Sequence, residues 1–224
     1  GTKVRPWAPL TAPPKISIGD ELLNIESTLA ILRRERLLLD HIPHSAQFHD
    51  LTACLLRVFS AACVIPALPP QEIQMYASLA LLHDVGKQAV PEAILNKPGQ
   101  LTQEEFEIMK SHTIRGCGVL EQVPGLCRCE AFPLICDVCR HHHERWDGSG
   151  YPDRLAGYDI TPWVQVVGLA DAFDALVHPR VYKPAFPLRQ AAGMIEHGAC
   201  GTFAPDMLVC FARNIDPICR AVYG

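Results

Sequence analysis

Thr161-Pro-Trp-Val-Gln-Val-Val-Gly-Leu-Ala-Asp171-Ala-Phe-Asp174-Ala-Leu-Val177 is almost wholly apolar, yet it carries two carboxylates. It opens on Thr then Pro162, an N-cap residue followed by proline at the first helical position. A helix is therefore predicted from there to about Val177. Three- and four-residue apolar spacing recurs outward from it. Leu22, Leu23, Ile25, Leu29 and Leu32 predict a helix from Glu21 to about Asp40. A second covers Ser45 to Val64 and is ended by Pro66, Pro69 and Pro70, and a third runs from Gln71 to about His83. Thr102-Gln-Glu-Glu105 is a capping box, and the helix it opens should carry Phe106, Met109 and His112 on related faces. Further helices are predicted at Pro133 to Glu144, Leu188 to His197 and Asp206 to Arg213. No run of alternating β-branched residues is long enough for a sheet. The chain reads as all-α and single-domain, without an internal repeat.

The 224 residues are 49% hydrophobic and 20% charged, enough to bury a sizeable core. No apolar run approaches the roughly 18–20 residues of a membrane span. Residues 1–20, with Pro6, Pro9, Pro13 and Pro14, read as an extended proline-rich arm without the basic-then-apolar order of a secretory signal. The formal charge of −4 offers no basic footprint for long nucleic acid. The expectation is a soluble, cytoplasmic protein that neither binds long nucleic acid nor inserts into a membrane.

Ten cysteines are many for such a chain. Most lie in apolar stretches, as Cys63 and Cys210 do, and read as small buried hydrophobes. Cys127, Cys129, Cys136 and Cys139 could be four zinc thiolates. The two pairs are very close, however, and the second sits in an apolar helical run, which favours reduced, mostly buried thiols.

Histidine and aspartate carry the chemistry. His83-Asp84 ends a predicted apolar helix, and His112 follows 28 residues after Asp84. His141-His142-His143-Glu144 comes next, with Asp171 lying 28 residues after His143. One such residue beside apolar surface is usually a satisfied core group; several, each from a separate helix, point to a shared metal. Imidazole and carboxylate without thiolate suit iron, manganese or zinc. Neighbours on a helix point about 100° apart. Asp84, with two oxygens, can therefore bridge two metals while His83 binds one, and His142 and His143 would serve different metals. A dinuclear centre can hold a hydroxide and clamp the oxygens of a phosphodiester. Lys87 is either a solvated helix-end charge or a phosphate contact. Asp147-Gly-Ser-Gly150-Tyr151-Pro152 is either a plain tight turn or a loop over a ligand. Arg180, Lys183 and Arg189 could neutralise a dianionic substrate. No Gly-x-x-x-x-Gly-Lys or Gly-x-Gly-x-x-Gly loop is present.

Several of these stretches together resemble the HD-GYP family. They are His83-Asp84-Val-Gly86-Lys87, Pro91 to Thr102, Glu105-x-x-x-Met109-x-x-His112 and His142-His143-Glu144-Arg-Trp-Asp147-Gly-Ser-Gly150-Tyr151-Pro152. Ala170-Asp171-x-x-Asp174-Ala-Leu176 and Arg180-x-Tyr182-Lys183 complete the set. The resemblance implies an HD-domain helical bundle with additional C-terminal helices. The catalytic domain would cover 45–215, after an N-terminal helix within 21–44 and before a tail at 216–224. It implies a metal-dependent phosphodiesterase that hydrolyses cyclic di-GMP to the linear dinucleotide, and in many members to GMP. The implied metal ligands are His83, Asp84, His112, His142, His143 and Asp171, with His49 (His44 as runner-up) as a further histidine. Lys87 takes the catalytic lysine position, and Arg180 and Lys183 those that contact phosphate. Ser45 stands where some members place an additional glutamate ligand, so two divalent metals are expected, iron or manganese before zinc.

The expected mechanism has Asp84 and a hydroxide bridging the metals, with the phosphodiester held under Gly150, Tyr151 and Pro152. Lys87 or a metal would stabilise the developing charge. The alternative is a catalytically weak domain that binds cyclic di-GMP or a protein. Sensor or signalling partners are expected in either case; the sequence leaves the oligomeric state open.

Overall fold

The computed structural model describes residues 44–124, 126–128, 131–179 and 184–224. Helices carry the fold, and among the described residues no β-strand forms beyond one isolated bridge between Ala199 and Gly201. The order is α1 (Ser45–Ala61), α2 (Pro70–Ala80), a 3-10 turn at Val85–Ala89, α3 (Glu92–Leu95), α4 (Gln103–Lys110) and α5 (His112–Glu121). It continues with a 3-10 turn at Leu126–Arg128, α6 (Phe132–His141), a 3-10 turn at Gly157–Asp159, α7 (Pro162–Val177), α8 (Leu188–Glu196) and α9 (Pro205–Tyr223). The predicted helix over 21–40 and the proline-rich arm lie outside the described residues.

The opening stretch of sequence becomes the central helix. In α7, twelve of sixteen residues are buried, which explains why its pattern is apolar all round rather than on one stripe. It packs on α1, α6 and α8, while α1 also packs on α2 and α9. Phe48, Phe59, Phe173 and Phe211 are the largest fully buried side chains, and the last two meet edge to face at 5.5 Å. Thr161 marks the start of α7 as expected, but its hydroxyl donates to Asp137 Oδ2 (2.7 Å) and does not cap the helix.

Three elements depart from expectation. The helix predicted to reach His83 stops at Ala80; residues 81–83 tighten into bonds to the third residue back, such as His83 N–H to the Ala80 carbonyl (3.1 Å). The Thr102 capping box forms, with Glu105 N–H donating to Thr102 Oγ1 and Thr102 N–H to Glu105 Oε2. Its helix nevertheless ends at Lys110, where the Ser111 hydroxyl donates to the Ile108 carbonyl (2.6 Å) and competes with the backbone ladder. His112 thus opens the next helix. Finally, the helix expected to stop at Arg213 runs to Tyr223, so residues 216–223 are helix and not a tail. Pro217 costs this helix a hydrogen bond, but Met207, Cys210, Phe211 and Ile218 keep one face buried along its length.

The cysteines are less buried than expected. Cys54, Cys139 and Cys210 are buried, but Cys63 and Cys127 are exposed, Cys63 because it leaves the end of α1 at φ 55°. The described cysteines are free thiols, and none joins a metal-ligating group; Cys129 lies outside the described residues.

Candidate metal centre

Six expected ligands converge from four places in the fold. His83 and Asp84 come from the tight turn after α2, His112 from the start of α5, His142 and His143 from the end of α6, and Asp171 from the middle of α7. Gly86 makes the first junction possible: a Cβ there would lie 1.9 Å from the His112 carbonyl oxygen. Only a glycine lets the 85–89 turn touch the α5 backbone and bring Asp84 to His112.

The ligating atoms fall into two groups, each within 4.8 Å: Asp84, His112, His142 and His143 in one, His83, Asp84 and Asp171 in the other. Asp84 belongs to both. Its Oδ1 lies 3.3 Å from His112 Nε2 and 3.7 Å from His142 Nε2, and its Oδ2 lies 3.3 Å from His83 Nε2. Asp171 Oδ1 faces His83 Nε2 at 3.7 Å. The expectation that Asp84 spans two positions while His83 serves one agrees with this layout. The expectation that His142 and His143 serve different positions does not. His142 caps α6 and His143 lies beyond it, so the 100° helical offset no longer applies, and both rings turn to one side.

Hydrogen bonds fix the tautomers. Nδ1–H of His83 donates to the Ala80 carbonyl (2.7 Å), that of His112 to Met109 (2.7 Å) and that of His142 to Val138 (2.9 Å). Each Nε2 is thereby left to face the centre. His112 Nε2 and His142 Nε2 confront each other at 3.4 Å, two lone pairs with no proton between them. Asp84 Oδ1, also buried, has no hydrogen-bond donor. On this side of Asp84 the acceptors Oδ1, His112 Nε2 and His142 Nε2 converge without a donor, which fits a divalent cation.

The charge states agree. Burial pushes the pKa of His112 down, that of His142 far down and that of His143 to about 3, so these three rings are neutral and ready to ligate. His83 differs: burial opposes its protonation, but Asp84 and Asp171 outweigh it and raise its pKa to about 10. A proton and a metal ion would compete for that Nε2. Burial would raise the pKa of Asp84, but Lys87 and His83 hold it well below the usual carboxylate range. Asp171 is likewise held low against its burial, chiefly by the neighbouring His83 ring.

Lys87 is not a free helix-end charge. Its ammonium contacts Asp84 Oδ2 directly, and its side chain is 24% exposed. His49, by contrast, joins neither group; its ring nitrogens face Asp50 Oδ1 (3.2 Å) and Ser78 Oγ (3.5 Å). His44 stacks on His178 at 4.0 Å. Arg180 and Lys183 lie outside the described residues. Arg189 pairs with Asp216 at 2.6 Å.

Beside His143 a cleft of about 830 Å³ opens, of a size suited to a small-molecule ligand. Gly150, Tyr151 and Pro152 line it together with Phe106, Lys110 and Arg154. The Tyr151 ring lies 4.8 Å from the His143 ring, joining cleft to metal centre. Gly150 lets the loop reach this place, because a Cβ there would lie 2.4 Å from Glu144 Cα. A network that sequence reasoning missed holds the loop from behind. His141, turned away from the centre, bonds Asp137 (2.6 Å) and Asp153 (2.9 Å). Arg140 grips Asp153 with two bonds, and Asp153 N–H donates to Glu144 Oε1 (2.7 Å). Arg145 was missed as well. Half-buried in the lining of the cleft, it donates to the nearby carbonyls of His142 and Glu144 and to that of Cys200, the last a contact between distant segments that no spacing announces.

A family model described as an HD domain matches residues 33–206. A cyclic di-GMP phosphodiesterase of Vibrio cholerae is 40% identical over 172 residues, which cover 76% of this chain and 35% of that protein. A 3'3'-cGAMP-specific phosphodiesterase 2 of the same organism is 40% identical over 116 residues, 52% of this chain and 22% of that one. The chain thus spans about a third or less of the length of these relatives. Among solved structures, Bd1817, an HDG"Y"P protein from Bdellovibrio bacteriovorus, superposes with a TM-score of 0.55 over 89% of this chain and 60% of its own, at 17% identity. That likeness supports the all-α fold.

Proposed function

The chain belongs to the HD-domain family, in its HD-GYP branch, and from that premise we propose that it is a metal-dependent phosphodiesterase that hydrolyses cyclic di-GMP. The observation that carries the reading is the pair of donor groups sharing Asp84, set beside a cleft large enough for a small ligand. His112, His142, His143 and Asp84 would hold one divalent ion; His83, Asp171 and Asp84 would hold the other. Iron or manganese suits these donors, with zinc as a further candidate. Two such ions, when bound, supply Lewis acidity and a water made nucleophilic near neutral pH.

The chain's own residues do the rest. Hydrogen bonds to backbone carbonyls keep His83, His112 and His142 in the ligating tautomer. The Lys87 ammonium, anchored on Asp84, is placed to donate to an oxygen that gains charge as the phosphodiester breaks. Tyr151 and the Gly150–Pro152 backbone roof the approach to His143. By the family resemblance, Arg180 and Lys183 contact the substrate phosphates. The final product, linear dinucleotide or GMP, follows from whether the first product is held for a second cleavage.

No helix among the described residues is long and apolar enough to cross a membrane. We place the activity in the cytoplasm, a compartment that keeps thiols reduced, and assign the chain a sensor or signalling partner because the match covers only 35% of that curated relative.

The test is product analysis by chromatography after air-protected, manganese- or iron-loaded protein meets cyclic di-GMP. Linear dinucleotide or GMP is expected. Binding of the nucleotide without any product would overturn the enzymatic reading in favour of a binding module.

A further inference from the structure

Arg154 stands at the cleft in a backbone conformation that arginine does not favour. Its φ is 56°, one of three non-glycine residues at positive φ among the described residues. Such a conformation costs an L-residue about 1–2 kcal/mol, and it clusters at functional positions. Glycine would occupy it freely.

The side chain is also uncommitted. Three cations line the cleft: Lys110, Arg145 and Arg154. Lys110 pairs with Glu107 at 2.6 Å, and Arg145 spends its donors on backbone carbonyls. Arg154 is exposed and has no hydrogen bond or ion pair among the described residues. The same cleft carries unusually bare apolar surface, Phe106 at 43% and Ile114 at 52% exposure, with Tyr151 edge-on to Phe106 at 6.5 Å. A phosphate has no use for that surface. A flat, apolar-faced ring with polar edges does.

We infer that Arg154 reads the guanine edge of the substrate, its guanidinium fork donating to O6 and N7 of a base that lies against the Phe106 and Ile114 side of the cleft. Adenine carries an amino group in place of O6 and accepts only one of these bonds. Arg154 is thus a specificity-determining residue that selects guanine-containing cyclic dinucleotides. The inference rests on the proposed hydrolysis of a cyclic dinucleotide at this cleft.

The test uses Arg154→Gly, which removes the fork and suits the positive φ, together with Arg154→Lys, which keeps the charge but cannot bind bidentately. The reading is kcat/KM for cyclic di-GMP and for cyclic di-AMP in the metal-loaded protein, with metal content and melting temperature alongside. In Arg154→Gly, kcat/KM for cyclic di-GMP is expected to fall roughly ten- to a hundred-fold. The preference over cyclic di-AMP should shrink by the same factor, with metal content unchanged and melting temperature unchanged or higher. Arg154→Lys should not restore the preference. An equal fall for both substrates that lysine repairs would make Arg154 a phosphate contact and overturn the inference. So would an unchanged ratio, or a wild-type protein with no guanine preference. A wild-type protein that hydrolyses neither nucleotide defeats the underlying reading instead, and the two failures are told apart by the wild type alone.

Discussion

Asp84 does two jobs at once because a carboxylate has two oxygens and sits where three backbone segments meet. Oδ1 turns to His112 and His142, Oδ2 to His83 and Lys87. That neighbourhood separates the role of Lys87 from that of the ligands. Lys87→Met leaves all six proposed ligands in place but removes the ammonium that contacts Asp84. Turnover is predicted to fall about 10²–10³-fold while metal content stays at the wild-type level. Loss of metal in that variant, with kcat per bound ion unchanged, would contradict the assigned role. A second prediction concerns protons. His143 has its pKa pushed down to about 3 by burial, against an unfolded value of about 6.5. A depressed imidazole contributes stability that is complete above about pH 6.5 and is lost as pH falls towards 3; His112 and His142 act in the same direction. His83 runs the other way. Burial lowers its pKa, but the Asp84 and Asp171 carboxylates raise it to about 10, so its contribution is complete below about 6.5 and is lost as pH rises towards 10. Chelator-treated protein should therefore melt highest near neutral pH and lower on both sides in a series of thermal scans. A melting temperature that stays flat between pH 4 and 6.5 would contradict the neutral buried rings.

At the scale of elements, the helices were readable wherever apolar spacing and a start signal coincided, as at Thr102 and at Thr161-Pro162. Their ends were less readable because tertiary packing decides them. Nothing in the local pattern says that α9 will pass Pro217; the buried face from Met207 to Ile218 says so, and it is created by packing on α1, α7 and α8. The break at Ser111 is a hydroxyl competing for a backbone carbonyl, a bond that serine can make without being obliged to. For the site, the pattern of His and Asp named six residues that the fold does bring together, with Asp84 in both donor groups. It set His142 and His143 on different metals, whereas their ligating atoms share one donor group because the helix ends between them, and it named His49, whose ring faces Asp50 and Ser78. The loop supports, His141 to Asp153 and Arg145 to Cys200, join parts of the chain whose proximity only the fold creates. Gly86 offers the element-scale test. In Gly86→Ala the new methyl would meet the His112 carbonyl at 1.9 Å, so the 85–89 turn and α5 must separate. The predicted cost is about 3 kcal/mol, roughly 6–12 °C in melting temperature, together with weaker metal binding because His112 moves with α5. Unchanged thermal scans and unchanged metal affinity would count against the close junction.

Over the whole molecule, a formal charge of −4 surrounds a site that, on the proposed activity, must attract an anion. The resolution is local. In the proposed centre, two divalent ions against the carboxylates of Asp84 and Asp171 would leave about two positive charges before any nucleophile arrives. Lys110, Arg145 and Arg154 add theirs along the cleft. The proposed ligands come from the 81–84 turn, α5, the end of α6 and α7, so metal binding would also tie together most of the described fold, as ligands that favour the folded state do. The most direct measurement of this arrangement is the metal-to-chain ratio, by elemental analysis, of manganese-loaded wild-type protein and of the Asp84→Ala variant. Two ions per chain in the wild type and almost none in the variant are predicted, because both donor groups share that carboxylate. One ion per chain in the wild type, or two retained in the variant, would contradict the bridged dinuclear centre.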